Sequence, residues 1–126
     1  MNIFPGTDIV KIQRFKEFSG NREHPFLLKI FTENEREYCF GKEDPVPHLA
    51  VTFAAKEAVL KALYSQGIRD IFYKDIDICR NFFGVPSAHI NNERYNLELR
   101  ISLSHSEEYA LAFAIIVCGE DYCEGK

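Results

Sequence analysis

Apolar and polar positions alternate and regroup along the chain in a way that predicts helices first and strands later. Residues 3–10 are mostly apolar and predict a short strand interrupted at Pro5-Gly6. The spacing then turns helical over residues 10–18, with Ile12 and Phe15 facing inward and Lys11 and Arg14 sharing the wet side. Ser19-Gly20-Asn21 ends that helix, and Phe26-Leu27-Leu28-Lys29-Ile30-Phe31 predicts a buried helical segment. Thr32-Glu33-Asn34-Glu35 is a capping box that opens a further helix ending near Gly41. A charged, proline-bearing loop spans residues 41–47.

The clearest helix follows over about residues 46–65. Ala55, Ala58, Val59, Ala62 and Leu63 form one stripe at 3.6-residue spacing, its small side chains suit close packing, and Gly67 is its natural stop. Beyond it the period falls to two. Asp75-Ile76-Asp77-Ile78 alternates, and Phe83-Gly84-Val85-Pro86 turns into another strand. Leu97, Leu99, Ile101 and Leu103 alternate with polar residues, and after a turn at residues 104–108 the run 110–118 is almost wholly apolar, as in a central strand. This order predicts an α+β fold, with helices packed on a mainly antiparallel sheet, built as one domain over residues 1–126.

Composition adds exclusions. The chain is 46% hydrophobic and 27% charged, which argues against disorder. No apolar run approaches the ~20 residues of a membrane span, and Met1-Asn2-Ile3-Phe4-Pro5 does not read as a secretory signal, so a cytoplasmic location without membrane association is expected. Cys39, Cys79, Cys118 and Cys123 fit no zinc spacing and are expected to be reduced. A net charge of −4 disfavours nonspecific nucleic-acid binding. Within that total, Lys11, Arg14, Lys16, Arg22 and Lys29 outweigh the acidic residues of the first thirty positions, a surface suited to an acidic partner.

Four residues in three places are candidates for chemistry, each place with two readings. Asp8 follows Pro5-Gly6-Thr7 and is either a carboxylate for a hard cation or a turn aspartate bonding its own backbone. Glu57 and Lys61, four apart on the long helix, are either a surface ion pair or a carboxylate for metal and an ammonium for phosphate. His105, in Ser102-Leu103-Ser104-His105-Ser106, suits an anion or a proton transfer, or is a turn histidine. There is no GxGxxG, Walker A, GxSxG or HExxH sequence.

Taken in order, several blocks resemble the holo-acyl-carrier-protein synthases, a family of small phosphopantetheinyl transferases. They are Gly6-Thr7-Asp8-Ile9-Val10 with Arg14, Phe31-Thr32 with Glu35, Phe53-Ala54-Ala55-Lys56-Glu57-Ala58 with Lys61-Ala62, and residues 102–110. The resemblance implies the transferase fold of that family and transfer of 4′-phosphopantetheine from coenzyme A to a serine of an apo acyl carrier protein. It implies Asp8 and Glu57 as Mg2+ ligands, Lys61 near the pyrophosphate, and His105 with Ser104 and Ser106 near the coenzyme A phosphates. It also implies Lys11 and Arg14 as the docking surface for the carrier, in keeping with the charge asymmetry, and a homotrimer with sites between subunits. The likeness departs at Val51 and Thr52, where the family has glycine and arginine, and at Asn91-Asn92-Glu93-Arg94, which lacks the usual loop glycine. Two rival readings are a module of the same fold that binds coenzyme A or a carrier without transfer, and a structural oligomer in which Glu57 and Lys61 merely pair.

Overall fold

A computed structural model describes residues 1–119. Strand β1 (Asn2–Lys11) is followed by a 3-10 helix (Ile12–Phe18), α1 (Pro25–Ile30), α2 (Glu33–Phe40) and α3 (Pro45–Gln66). A 3-10 turn (Tyr73–Asp75) leads into β2 (Ile76–Arg80), β3 (Pro86–Ile90), β4 (Glu98–His105) and β5 (Tyr109–Cys118). The main sheet is antiparallel with strand order β1-β5-β4, while β2 and β3 form a separate hairpin. This is the α+β arrangement the sequence predicts, and β5 is the central strand.

Two expectations are corrected. Strand β1 is continuous through Pro5-Gly6, with Pro5 in register with Ile115. It is an edge strand, where a proline's missing N–H can face away from the ladder. The segment after it is a 3-10 helix, beginning at Ile12 instead of residue 10, and its buried residues are Ile12, Phe15 and Phe18. A strict spacing of three suits three residues per turn better than 3.6.

The later helices start where their caps dictate. His24 Nδ1 accepts from the Phe26 amide at the start of α1, and Thr32 and Glu35 bond each other's backbone amides at 3.1 and 2.9 Å to open α2. Asp44 caps α3, with Pro45 in its first turn, and Gly67 closes it at φ +98°. Helix α3 is apolar nearly all round, as a central element must be. One side of it rests on β1 and β5, another on α2 and the 3-10 helix.

Small residues on both sides set how close α3 lies to the sheet. Strand β5 presents Ala110, Ala112 and Ala114 to the core. Gly6 of β1 goes further: a Cβ there would sit 2.0 Å from the Ala58 carbonyl oxygen and 2.6 Å from the Ala62 amide nitrogen. The sheet's other face carries Ile3, Ile9, Leu111 and Phe113, all exposed.

A buried ion pair ties the layers together. Lys56 Nζ donates to Glu35 Oε1 and to the Ile76 carbonyl, each at 2.7 Å, and Glu35 Oε2 accepts from the Ile78 amide at 2.7 Å. Burial pushes the Glu35 carboxyl above its ordinary value and the Lys56 ammonium below its own, each opposed by the partner's charge. Cys39 and Cys79 are free thiols, and burial raises both to about 11. Cys118 is disulfide-bonded, against the expectation of a reduced thiol, and Cys123 lies outside the described residues.

Candidate active site

The close approach at Gly6 determines what meets what. Two residues further along the same strand face, Asp8 points toward α3, where Lys61 adjoins Ala62 and Glu57 adjoins Ala58. Lys61 Nζ donates to Asp8 Oδ1 at 3.1 Å and to the Thr7 carbonyl at 3.0 Å. The Asp8 side chain is 16% exposed and Lys61 52%. One carboxylate is thus set into the floor of the site, and the ammonium stands at its rim.

Both bland readings of these residues fail. Asp8 is not in a turn but in the ladder, opposite Ala112. Glu57 and Lys61 do not pair with each other. Lys61 turns to Asp8, and Glu57 Oε2 accepts from the Tyr73 hydroxyl. Glu57 Oε1 accepts no hydrogen bond among the described residues. Burial, then the neighbouring Glu57 carboxylate, holds the Tyr73 hydroxyl well above the ordinary phenol range, and the Asp8 charge contributes in the same direction. Of the two carboxylates, Glu57 alone bonds that hydroxyl.

His105 lies elsewhere. It ends β4 opposite Ala110, which is itself opposite Val10, so it sits two strand spacings, ~10 Å, from β1. It is exposed, with Nδ1 3.3 Å from the Ser106 carbonyl. Its charge is felt by His48 in the first turn of α3 instead. His48 is held below the ordinary imidazole value by burial and then by Lys42, Arg80 and His105. Arg80 and Lys42 both approach the Tyr38 ring, at 5.1 and 4.6 Å, and His48 packs edge-on to it at 6.0 Å. Neither Lys42 nor Arg80 pairs with a carboxylate among the described residues.

The serines flanking His105 differ. Ser106 Oγ accepts from the Glu108 and Tyr109 amides at 3.2 and 3.1 Å and closes the β4–β5 turn. Ser104 is opposite Leu111, on the sheet face turned away from α3. Lys11 ends β1, exposed and beside a cleft of about 340 Å3 that it shares with Lys16, Asp44 and Glu108. Arg14 lies over the rings of Phe15 and Phe53, at 5.9 and 5.7 Å, and borders a hollow with Phe18 and Phe26. The Phe53 ring in turn stacks on Tyr73 at 6.1 Å. A row Arg14–Phe53–Tyr73–Glu57 thus connects the basic surface to Glu57. Thr52 is buried, 3.7 Å from Cys39 Sγ, so the position where the family carries arginine faces α2 here.

Sequence reasoning missed Tyr73, Gly6 as the approach point, and the cations around Tyr38. Only Gly6 left a signal, a glycine inside a strand pattern.

Comparisons with known proteins identify the family. The model of the 4′-phosphopantetheinyl transferase superfamily matches residues 5–114. The holo-[acyl-carrier-protein] synthase of Caldanaerobacter subterraneus is 42% identical over 128 residues, covering 96% of this chain and 99% of that protein. That of Chlamydia trachomatis is 43% identical over 114 residues, covering 87% and 95%. Among solved structures, the Chronobacterium ammoniagenes ACPS–CoA complex superposes with a TM-score of 0.76 at 26% identity, covering 92% of this chain and 97% of that one. The Bacillus anthracis holo-(acyl-carrier-protein) synthase in complex with CoA superposes with a TM-score of 0.73 at 29% identity, covering 90% and 94%.

Proposed function

This chain belongs to the 4′-phosphopantetheinyl transferase superfamily, and from that premise we propose that it is a holo-acyl-carrier-protein synthase, moving 4′-phosphopantetheine from coenzyme A to a serine hydroxyl of an apo acyl carrier protein with release of adenosine 3′,5′-bisphosphate. The observation that carries this reading is the Lys61–Asp8 contact where β1 touches α3, with Glu57 one turn before Lys61 on the same helix.

The donor set fits Mg2+. Asp8 and Glu57 offer carboxylate oxygens only, and Glu57 Oε1 is unengaged. Among the described residues no group of three histidine, cysteine or carboxylate ligands forms a complete cage. A hard cation held by one or two carboxylates, with phosphate oxygens and water for the rest, matches that set. Bound there, Mg2+ would neutralise charge on the pyrophosphate during displacement at phosphorus.

The chain's own residues supply positioning and charge. Lys61, half exposed and already turned toward Asp8, offers an ammonium to the same phosphates. Lys42 and Arg80, both against the Tyr38 ring beside His48, present positive charge that suits the other phosphate of coenzyme A, and His105 with Ser104 and Ser106 at the end of β4 are further candidates for phosphate contact. Arg14 and Lys11 present charge to an acidic carrier, and the aromatic row behind Arg14 leads to Glu57. A serine delivered along that row would arrive beside Glu57.

The exposed apolar sheet face supports a homotrimer. Ile9 at 62% and Leu111 and Phe113 at 45% exposure make a patch of the kind that marks a subunit interface. One domain and a cytoplasmic location remain part of the reading. The test is to incubate an apo acyl carrier protein with coenzyme A and Mg2+ and follow release of adenosine 3′,5′-bisphosphate. Release in step with carrier modification is expected. Tight binding of coenzyme A without release from any carrier would favour the non-catalytic module.

A further inference from the structure

We infer that Tyr73 is a positioning residue for Glu57: its hydroxyl fixes one carboxylate oxygen so that the other is presented to the cation. The inference rests on the reading of Asp8 and Glu57 as Mg2+ ligands. Its starting point is the bond from the Tyr73 hydroxyl to Glu57 Oε2, with Oε1 left without a hydrogen-bond donor among the described residues.

A tyrosine can orient a carboxylate only if the tyrosine is itself held, and here four restraints hold it. Its ring stacks on Phe53, 6.1 Å between centroids and 21° between planes, and Phe53 lies one turn before Glu57 on α3. Its backbone belongs to the 3-10 turn, where the Phe72 amide donates to Asp75 Oδ2 at 2.9 Å and the Asn91 amide to the Asp75 carbonyl at 2.7 Å. Lys74 Nζ reaches the Leu28 carbonyl at 2.9 Å. The next residue after the turn, Ile76, has its carbonyl bound by the buried Lys56 ammonium, and Lys56 is the neighbour of Glu57. Hydroxyl and carboxylate are therefore referenced to the same helix.

That arrangement has a definite chemical consequence. A glutamate has three rotatable bonds, and an unheld one must lose that freedom each time it binds a cation. A donor on one oxygen removes part of the freedom beforehand, as partners behind metal ligands generally do. A purely structural hydrogen bond would stabilise the turn and leave cation affinity alone.

Tyr73→Phe separates the two, because the phenyl ring keeps the Phe53 stack and removes only the hydroxyl. Mn2+ is titrated by electron paramagnetic resonance into protein saturated with coenzyme A, with no carrier present and so no turnover. The variant is expected to bind Mn2+ about 10- to 100-fold more weakly. In transfer assays its KM for Mg2+ should rise by a similar factor, with kcat at saturating Mg2+ within about twofold of wild type. Wild-type Mn2+ affinity in Tyr73→Phe, with or without a lower Tm, while Glu57→Gln loses binding, would overturn the inference and leave the cation reading standing. Wild-type affinity in Glu57→Gln would overturn both.

Discussion

Replacing Gly6 by alanine tests whether the site depends on how near β1 lies to α3. The added methyl would meet the Ala58 carbonyl oxygen at 2.0 Å, and that oxygen belongs to the middle of a 22-residue helix. Reaching an ordinary contact of 3.4 Å requires strand and helix to part by about 1.4 Å. The Lys61–Asp8 contact, now 3.1 Å, is carried by the same two elements and would open by a comparable amount. Forcing one methyl into such packing costs about 1–3 kcal/mol. A displacement of about 1 Å at a transfer site costs about 100-fold in rate. Urea unfolding of Gly6→Ala should therefore show a loss of about 2 kcal/mol, and transfer at saturating substrates should fall by about two orders of magnitude in protein that is still folded. Stability within about 0.5 kcal/mol of wild type together with normal transfer would show that the approach at Gly6 does not position the site.

Other perturbations address separate parts of the account. Lys56→Met leaves the buried Glu35 carboxylate without its counter-ion and should cost about 3–5 kcal/mol in urea unfolding. Adding Glu35→Leu should restore part of that loss, and a double variant less stable than either single one would refute this description of the pair. Arg14→Glu should raise KM for the carrier about tenfold at low salt, with the effect shrinking as salt is added and kcat little changed. An unchanged KM would remove Arg14 from the docking surface. Phe113→Asp, on the exposed sheet face, should shift sedimentation from trimer to monomer, and a wild-type protein that sediments as a monomer would remove the trimer.

Local chemistry explains what was legible in the sequence. The capping box at Thr32 and Glu35, the stop at Gly67 and the apolar run of β5 are properties of consecutive residues, and the structure has all three where the sequence predicts them. Ile12 and Phe15 alone fit either helical period, and Phe18 decides for the 3-10 helix. The interruption expected at Pro5-Gly6 failed because only the sheet shows that β1 is an edge. Partners at the site are a matter of tertiary structure. Lys61 has Glu57 four residues away, yet it binds Asp8, 53 residues distant, because Gly6 lets that strand in. Tyr73 reaches Glu57 across 16 residues and a turn that nothing in the local pattern announces. The expectation that Asp8 and Glu57 share a cation comes from the block resemblance, and neither periodicity nor spacing contains it.

The most direct measurement is the intact mass of an apo acyl carrier protein after incubation with coenzyme A, Mg2+ and either the wild-type chain, Asp8→Ala or Glu57→Gln. The account predicts that the carrier gains one phosphopantetheine group with the wild-type chain and none in the same time with either variant. Full modification by Asp8→Ala or Glu57→Gln at the wild-type rate would contradict it.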